Sequence, residues 1–155
     1  MLHALHRLQS FCASRAFYIN TQQDYGNIAH ASWVLRTEAD LVSGHKFGIA
    51  AYNASTVSGV VVAKQETHSR VDIRNISIAP DVRKRDFGSF AVRQLVHSVW
   101  QDMPEISQIR VDTKPTNTAM IRFLERMGFS PVASEDLYSS GHPDLILSLS
   151  RPNDE

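Results

Sequence analysis

The stretch Ile78-Ala79-Pro80-Asp81-Val82-Arg83-Lys84-Arg85-Asp86-Phe87-Gly88-Ser89-Phe90 decides how this chain is read. An apolar strand stops at Pro80, a basic turn follows, and a helical pattern starts near Gly88. The first turn of a helix has unpaired backbone N–H groups and the positive end of the helix dipole. Such a place binds phosphate. Arg83, Lys84 and Arg85 add three positive charges. Gly88 lets a ligand approach the backbone closely. On charge alone, a solvated basic turn that caps a helix accounts for the same residues.

Working outward, Val71–Ile78 reads as the strand that feeds this turn. Val71 and Ile73, then Ile76 and Ile78, are its apolar positions. The parity slips by one residue between Ile73 and Ile76, which is what a β-bulge does. Phe47–Tyr52 and Val57–Gln65 read as two earlier strands joined by an Asn53–Ser55 turn. Val60, Val61 and Val62 are apolar on both faces, as in a central, covered strand. Downstream, Ala91, Val92, Leu95, Val96 and Val99 recur at helical steps, so a helix runs from about Gly88 to Gln101. A strand over Ile109–Thr113 follows. A helix over about Asn117–Met127 comes next, ended by Gly128. Strands near Ser130–Leu137 and Asp144–Ser150 close the pattern. The order predicts a mixed α/β sheet with a helical crossover in its middle.

The first 45 residues are harder to read. Met1–Ala16 has the spacing of a short amphipathic helix, and Ala16–Asn20 that of a short strand. Thr21 reads as an N-cap before a weak helical face at Ile28, Ala31, Ser32 and Leu35. Glu38–Val42 reads as a second short helix stopped by Gly44.

Arg83-x-x-Asp86-x-Gly88 resembles the Arg/Gln-x-x-Gly-x-Gly/Ala motif of the GNAT superfamily of acyl-CoA acyltransferases. Ile78-Ala79-Pro80 before it and Ser89-Phe90-Ala91-Val92 after it match too. Asn117-Thr-Ala-Met-Ile-Arg-Phe-Leu-Glu-Arg-Met-Gly128-Phe129 resembles that family's second signature, a helix opened by Asn and closed by Gly-Phe. The resemblance covers about Phe47–Ser150. The length suits a single domain over residues 1–155, of which residues 1–45 match the family poorly, and the resemblance implies the α/β (α+β) class. That domain would hold a mixed, mostly antiparallel sheet of six to seven strands flanked by about four helices.

The resemblance also implies roles. The pantetheine arm of acetyl-CoA, the acyl donor, would pair like an added strand with Ile76 and Ile78, where their strand splays from Ile109–Thr113. The N–H groups of Arg83, Lys84, Arg85, Asp86, Phe87, Gly88 and Ser89 would hold the diphosphate. Asn117 would contact the pantetheine, or else cap its own helix. Phe123 or Arg122 would border the cofactor. Acyl transfer to an amine needs a base for the amine's proton. Asp72 stands where some relatives carry a catalytic glutamate; its other reading is a strand carboxylate paired with Arg70 or Arg74. Glu66 and His68 are further candidates. A backbone N–H near Ile76 or Ser77, with Ser77 chosen, would face the developing oxyanion.

Two positions depart from the family pattern. Leu124 stands where many relatives carry a tyrosine acid, which leaves Tyr138 as a candidate acid. Asp86 replaces a glycine of the turn. Asp tolerates left-handed backbone less well than glycine, and its carboxylate would lie near the diphosphate.

Composition bounds the rest. The chain has 155 residues, 43% hydrophobic, with 16 basic and 16 acidic side chains. That size and apolar content support a core without metal or disulfide staples. The balanced charge argues against a broad nucleic-acid-binding face. No apolar run approaches the roughly 18–20 residues of a membrane span. The lone Cys12 cannot form an internal disulfide, so the cytoplasm is the expected compartment. His3 and His6 lack the partners of a metal site, and none is expected. A homodimer through the last strands is the family-level expectation. The expected function is acetyl transfer from acetyl-CoA to a primary amine by direct attack. The alternative is an acyl-CoA-binding module with little catalysis. A nucleotide-phosphate site without coenzyme A would lack its Gly-x-x-x-x-Gly-Lys-Ser/Thr loop.

Overall fold

Alternating and continuous apolar runs between Phe47 and Ile78 fold as a three-stranded meander in the computed structural model. The structure describes residues 28–53, 56–83 and 86–152. The readings of Met1–Ala16, Ala16–Asn20, Thr21 and Cys12 lie outside them, as do Lys84 and Arg85. Strands β1 (Phe47–Asn53), β2 (Thr56–Thr67) and β3 (Arg70–Ile78) pair antiparallel in sequence order. Helix α2 (Phe87–Asp102) then crosses over to β4 (Gln108–Thr113), which pairs parallel to β3. Helix α3 (Thr118–Arg126) leads to β5 (Ser130–Glu135) and β6 (Asp144–Ser150). The six strands lie in the order β1-β2-β3-β4-β6-β5. Three helices are among the described residues, against about four expected.

Helix α1 (Ile28–Ser43) is one continuous element, which corrects the reading of two short helices. Thr37 is fully buried one turn before buried Leu41, so a polar residue sits inside the buried stripe and hides its period. Gly44, at φ 81°, ends the helix in the left-handed region.

The core follows from strand parity. Val61 and Ala63 of β2, Val71 and Ile73 of β3, and Ile109 and Val111 of β4 form one buried cluster with Leu147. Ala91, Val92, Leu95 and Val99 of α2 pack onto it, as do Leu124 and Phe129. Val60 and Val62 are also buried, on the other face of β2. This strand is therefore covered on both sides, as its sequence predicts. Gly48 permits the β1–β2 approach, because a Cβ there would lie 2.5 Å from the Val61 carbonyl oxygen.

The predicted bulge is present. Ala63 pairs with Ile73 but Val62 pairs with Asn75, which leaves Arg74 as the extra residue. The slip keeps Ile73 and Ile76 on the core face, opposite Ala63 and Val61.

Candidate functional site

β3 and β4 stay paired only from Arg70–Gln108 to Ile73–Val111. Beyond Ile73 the two strands part, and β3 runs on to Ile78 with β2 alone as partner. Which backbone groups face the opening follows from the ladder. Ala79 N–H donates to Ser58 O at 2.9 Å. The register continues as Gly59–Ile78, Val60–Ser77 and Val61–Ile76. Hydrogen-bonded and non-bonded pairs alternate in an antiparallel ladder. Ser77 therefore turns its N–H and C=O to β2, while Ile76 and Ile78 turn theirs to the opening. A ligand between β3 and β4 meets Ile76, not Ser77, and the choice of Ser77 is corrected on that ground.

The far end of the opening is the turn into α2. Pro80–Val82 forms one 3₁₀ turn, and Arg83 N–H closes it on Pro80 O at 3.4 Å. Arg83 Nε donates to Ile78 O at 3.1 Å, which ties the turn to the strand end. Asp86 is the N-cap of α2 at φ 63° and ψ 3°, in the left-handed region. Its side chain makes no capping hydrogen bond, so the N–H groups of the first turn of α2 face outward without that partner. Asp86 thus holds the backbone shape that a glycine adopts freely. Gly88 lies where β3, α2 and α3 meet: a Cβ there would stand 3.4 Å from Ile78 Cγ1 and 3.5 Å from Phe123 Cε2. Phe123 is half-buried beside that junction, and Ser89 lies in the same first turn.

Asn117 is the N-cap of α3, its Oδ1 accepting from Met120 N–H at 3.3 Å. Capping uses the amide oxygen, so its NH₂ donors remain a chemically separate group. Leu124 is fully buried in the core.

Asp72 lies on the opposite face of the sheet, at the apex of the split. A cleft of about 290 Å³ opens there, lined by Arg70, Asp72, Arg74, Arg110, Asp112 and Tyr138 among others. Asp72 Oδ1 is 2.9 Å from Arg70 Nε, and its Oδ2 is 3.9 Å from Arg74. Neither Arg70 Nε nor Asp72 Oδ1 completes a directed hydrogen bond, so that contact is Coulombic. Both partners foreseen for Asp72 are present, but the side chain is mostly buried, not exposed. Burial raises its pKa above the usual carboxylate value; Arg70, Arg74 and Arg110 oppose the rise without cancelling it. Glu66 binds Arg74 through a short hydrogen bond and Lys64 at 3.2 Å. Burial alone would raise Glu66, but its cationic partners together hold it below its usual value.

The loop after β5 roofs this cleft. Asp136 folds it by accepting from Ser140 N–H and Gly141 N–H, each at 2.8 Å. Tyr138 then donates to Asp112 Oδ2 at 2.9 Å. Partial burial, followed by the charge and hydrogen bond of Asp112, pushes the tyrosine pKa up to about 12. Since 60% of the residue is exposed, contact with Asp112 is the firmer of these causes.

The Acetyltransferase (GNAT) family model matches residues 2–129. This chain belongs to the GNAT acetyltransferase family. No curated protein matches the GNAT chain. Among solved structures it is similar to a GNAT-family structure from Desulfovibrio desulfuricans, with 18% identity, 92% of each chain covered and a TM-score of 0.75. It is similar to an aminoglycoside 6'-N-acetyltransferase complexed with coenzyme A, with 14% identity, 92% of this chain and 93% of that one covered, and a TM-score of 0.69. A third is a GNAT family acetyltransferase from Elizabethkingia anophelis with acetyl-CoA bound: 13% identity, 73% of this chain and 81% of that one, TM-score 0.63. At these identities the likeness shows the fold.

Sequence reasoning missed two features of the GNAT chain's site. One is the phase of the β2–β3 ladder, which chooses Ile76 over Ser77. The other is the polar row formed by Asp72 of β3, Arg110 of β4 and Ser148 of β6, register partners across three strands. The alternation Ile109-Arg110-Val111-Asp112 carries the signal, since it sets Arg110 and Asp112 on the face away from the core.

Proposed function

We propose that this protein transfers an acetyl group from acetyl-CoA to an amine by direct attack. The opening between β3 and β4 carries the reading. It sets the backbone groups of Ile76 and Ile78 toward one groove, and that groove ends at the first turn of α2. The groove suits an extended amide chain, and the helix start suits a diphosphate. The coenzyme A and acetyl-CoA named for the similar structures support the same donor.

Four groups of this chain then have work. Ile76 N–H donates to the thioester oxygen as it becomes negative. Asp72, at the apex of the split, takes the proton from the incoming ammonium. The free amine attacks the carbonyl carbon; a C–N bond forms, the C–S bond breaks, and coenzyme A leaves as a thiolate. Asn117 offers its NH₂ to the pantetheine while its oxygen caps α3. Arg83, with Lys84 and Arg85, offsets the diphosphate charge. Tyr138 is a poor proton source, because its hydroxyl proton is already given to Asp112, whose charge holds the phenol above its ordinary pKa. Leu124 offers no proton either, so the proton that the nitrogen sheds as the C–N bond forms reaches the thiolate through water.

Titration calorimetry with acetyl-CoA and a thiol-release assay over a panel of amines test the reading. Binding within the about 1 μM–1 mM range of ordinary KM values, with release on at least one amine, is expected. Binding without release on any amine would instead mark an acyl-CoA-binding module, the reading that a buried Leu124 keeps in play. Failure to bind acetyl-CoA overturns both.

A further inference from the structure

The polar face of the sheet holds more charge than acetyl transfer needs. Arg70, Asp72 and Arg74 of β3 and Arg110 and Asp112 of β4 all line one cleft. Most of these groups answer one another. Arg70 pairs with Asp72, Arg74 with Glu66, and Asp112 with Tyr138. Arg110 differs: among the described residues, no carboxylate lies within ion-pair distance of its guanidinium. Its Nε is buried without a hydrogen-bond acceptor.

The neighbouring rung shows the same shortfall. Ser148 stands directly opposite Arg110 in the β4–β6 ladder, and its hydroxyl is also buried without a partner. The buried side-chain atoms lacking a hydrogen-bond partner belong, among the described residues, to Arg70, Asp72, Arg110, Asp144 and Ser148. Strand parity puts them all on this one face. Buried polar groups in native proteins are nearly always satisfied, so a cluster of exceptions calls for an explanation. A guanidinium with open donors suits a carboxylate, which it can grip with two parallel hydrogen bonds.

The diphosphate is not the anion in question. Its turn lies at the Ile78 end of β3, whereas Arg110 pairs with Asp72 near the strand's start. The anion therefore belongs to the acceptor. We infer that the acceptor is a small amine that also carries a carboxylate, with the guanidinium of Arg110 holding the carboxylate and Asp72 the amine. This rests on the acetyl-transfer reading above. The cleft's size agrees with a small acceptor, since about 290 Å³ lies just under the about 300–1,000 Å³ that ligand pockets span. Its charge agrees too. Arg70, Arg74 and Arg110 face Asp72, Asp112 and Glu135, a balance that suits an amphoteric molecule better than a polycation.

The experiment compares L-amino acids with their amides in a thiol-release assay at saturating acetyl-CoA. The amide lacks the carboxylate and also has a less basic α-amine, so the two are compared per unprotonated amine, from kcat/KM measured against pH. The best amino acid should exceed its amide in kcat/KM by about tenfold to hundredfold. Arg110→Gln should bring that ratio to within about twofold, and Arg110→Lys should leave it intermediate, with thermal midpoints checking that each variant folds. Amides that react as well as amino acids, or an Arg110→Gln variant that keeps the ratio, overturn the inference and leave acetyl transfer standing. If no amine releases thiol, the parent reading fails, and a second arm decides this one. N-acetyl amino acids and their amides are titrated by NMR. Shifts at Arg110–Asp112 that need both the carboxylate and Arg110 support the anion site; shifts without that dependence, or none, remove it.

Discussion

Tyr138 donates its hydroxyl to Asp112 across 2.9 Å, and this bond joins the loop after β5 to the end of β4. Tyr138 lines the 290 Å³ cleft and also a neighbouring one that includes Asp40, Lys46 and Arg74. The ring is a wall shared by both. A wall positions an acceptor; an acid drives kcat. Tyr138→Phe should therefore raise the acceptor KM by about threefold to tenfold, the effect of one exposed charge-assisted hydrogen bond. Its kcat should stay within about twofold. A kcat drop of the about 100-fold or more typical of a lost general acid would place Tyr138 in the proton chemistry after all.

Asp72 gives a pH signature. Its folded pKa is raised above 3.8, chiefly by burial. Asp72→Asn should lower kcat by about 10²–10⁴-fold and remove the acidic limb of the kcat/KM profile. Stability moves the other way. A raised pKa means the folded state prefers the protonated acid. The associated stabilisation is fully present below the unfolded value and is lost as pH rises through the higher folded value. The variant has no such loss. The difference in thermal midpoint, Asp72→Asn minus wild type, should thus grow more positive from pH 4 to pH 7. A difference that is flat or falls with pH contradicts the raised pKa, whatever the kinetics show.

Arg151 serves the fold, away from the chemistry. It donates to the carbonyls of Trp100, Met103 and Ile106 at 2.7–2.8 Å, and its guanidinium sits 4.8 Å from the Trp100 ring centroid. These carbonyls lie at and after the end of α2, where a helix leaves acceptors unpaired and favours a cation. Arg151→Ala should destabilise the protein by about 2–4 kcal/mol in urea unfolding, from charged hydrogen bonds worth about 1.5–3 kcal/mol each, discounted for partial exposure. Arg151→Lys should recover only part, since one ammonium cannot reproduce the planar fork. Acetyl-CoA affinity of the folded variants should be unchanged; a matching loss of affinity would tie this end of α2 to the donor groove.

How far the sequence could be read depended on whether a feature is local. The bulge at Arg74 showed itself because apolar parity slips within one strand, between Ile73 and Ile76. The left-handed turn at Asp86 showed itself because a glycine belongs at that place in the motif. The continuity of α1 did not, since Thr37 puts a hydroxyl in the buried stripe beside Leu41. The side to which Ser77 points did not either, because the phase of a ladder is set by how two strands meet. Arg110 and Ser148 are far apart in the chain and become neighbours only when β6 inserts between β4 and β5. Each alone reads as an ordinary polar residue of a half-buried strand.

Asp86 sets the last test. At φ 63° it adopts a shape that a glycine reaches without steric penalty, and it does so with no side-chain cap to compensate. Its carboxylate stands at the start of α2, beside the N–H groups proposed to hold the diphosphate. Two negative groups there repel, even with Arg83 nearby. Asp86→Gly removes the repulsion and keeps the backbone shape. It also makes the unfolded chain more flexible, which offsets the relief of backbone strain, so thermal stability should change little. Acetyl-CoA affinity should tighten by about threefold to tenfold, most strongly at low salt, where charges are least screened. Acetyl-pantetheine, a thioester that lacks the diphosphate, should gain nothing. Calorimetry at two salt concentrations checks this: unchanged or weaker acetyl-CoA binding would mean that Asp86 turns away from the diphosphate or helps to order the turn that binds it.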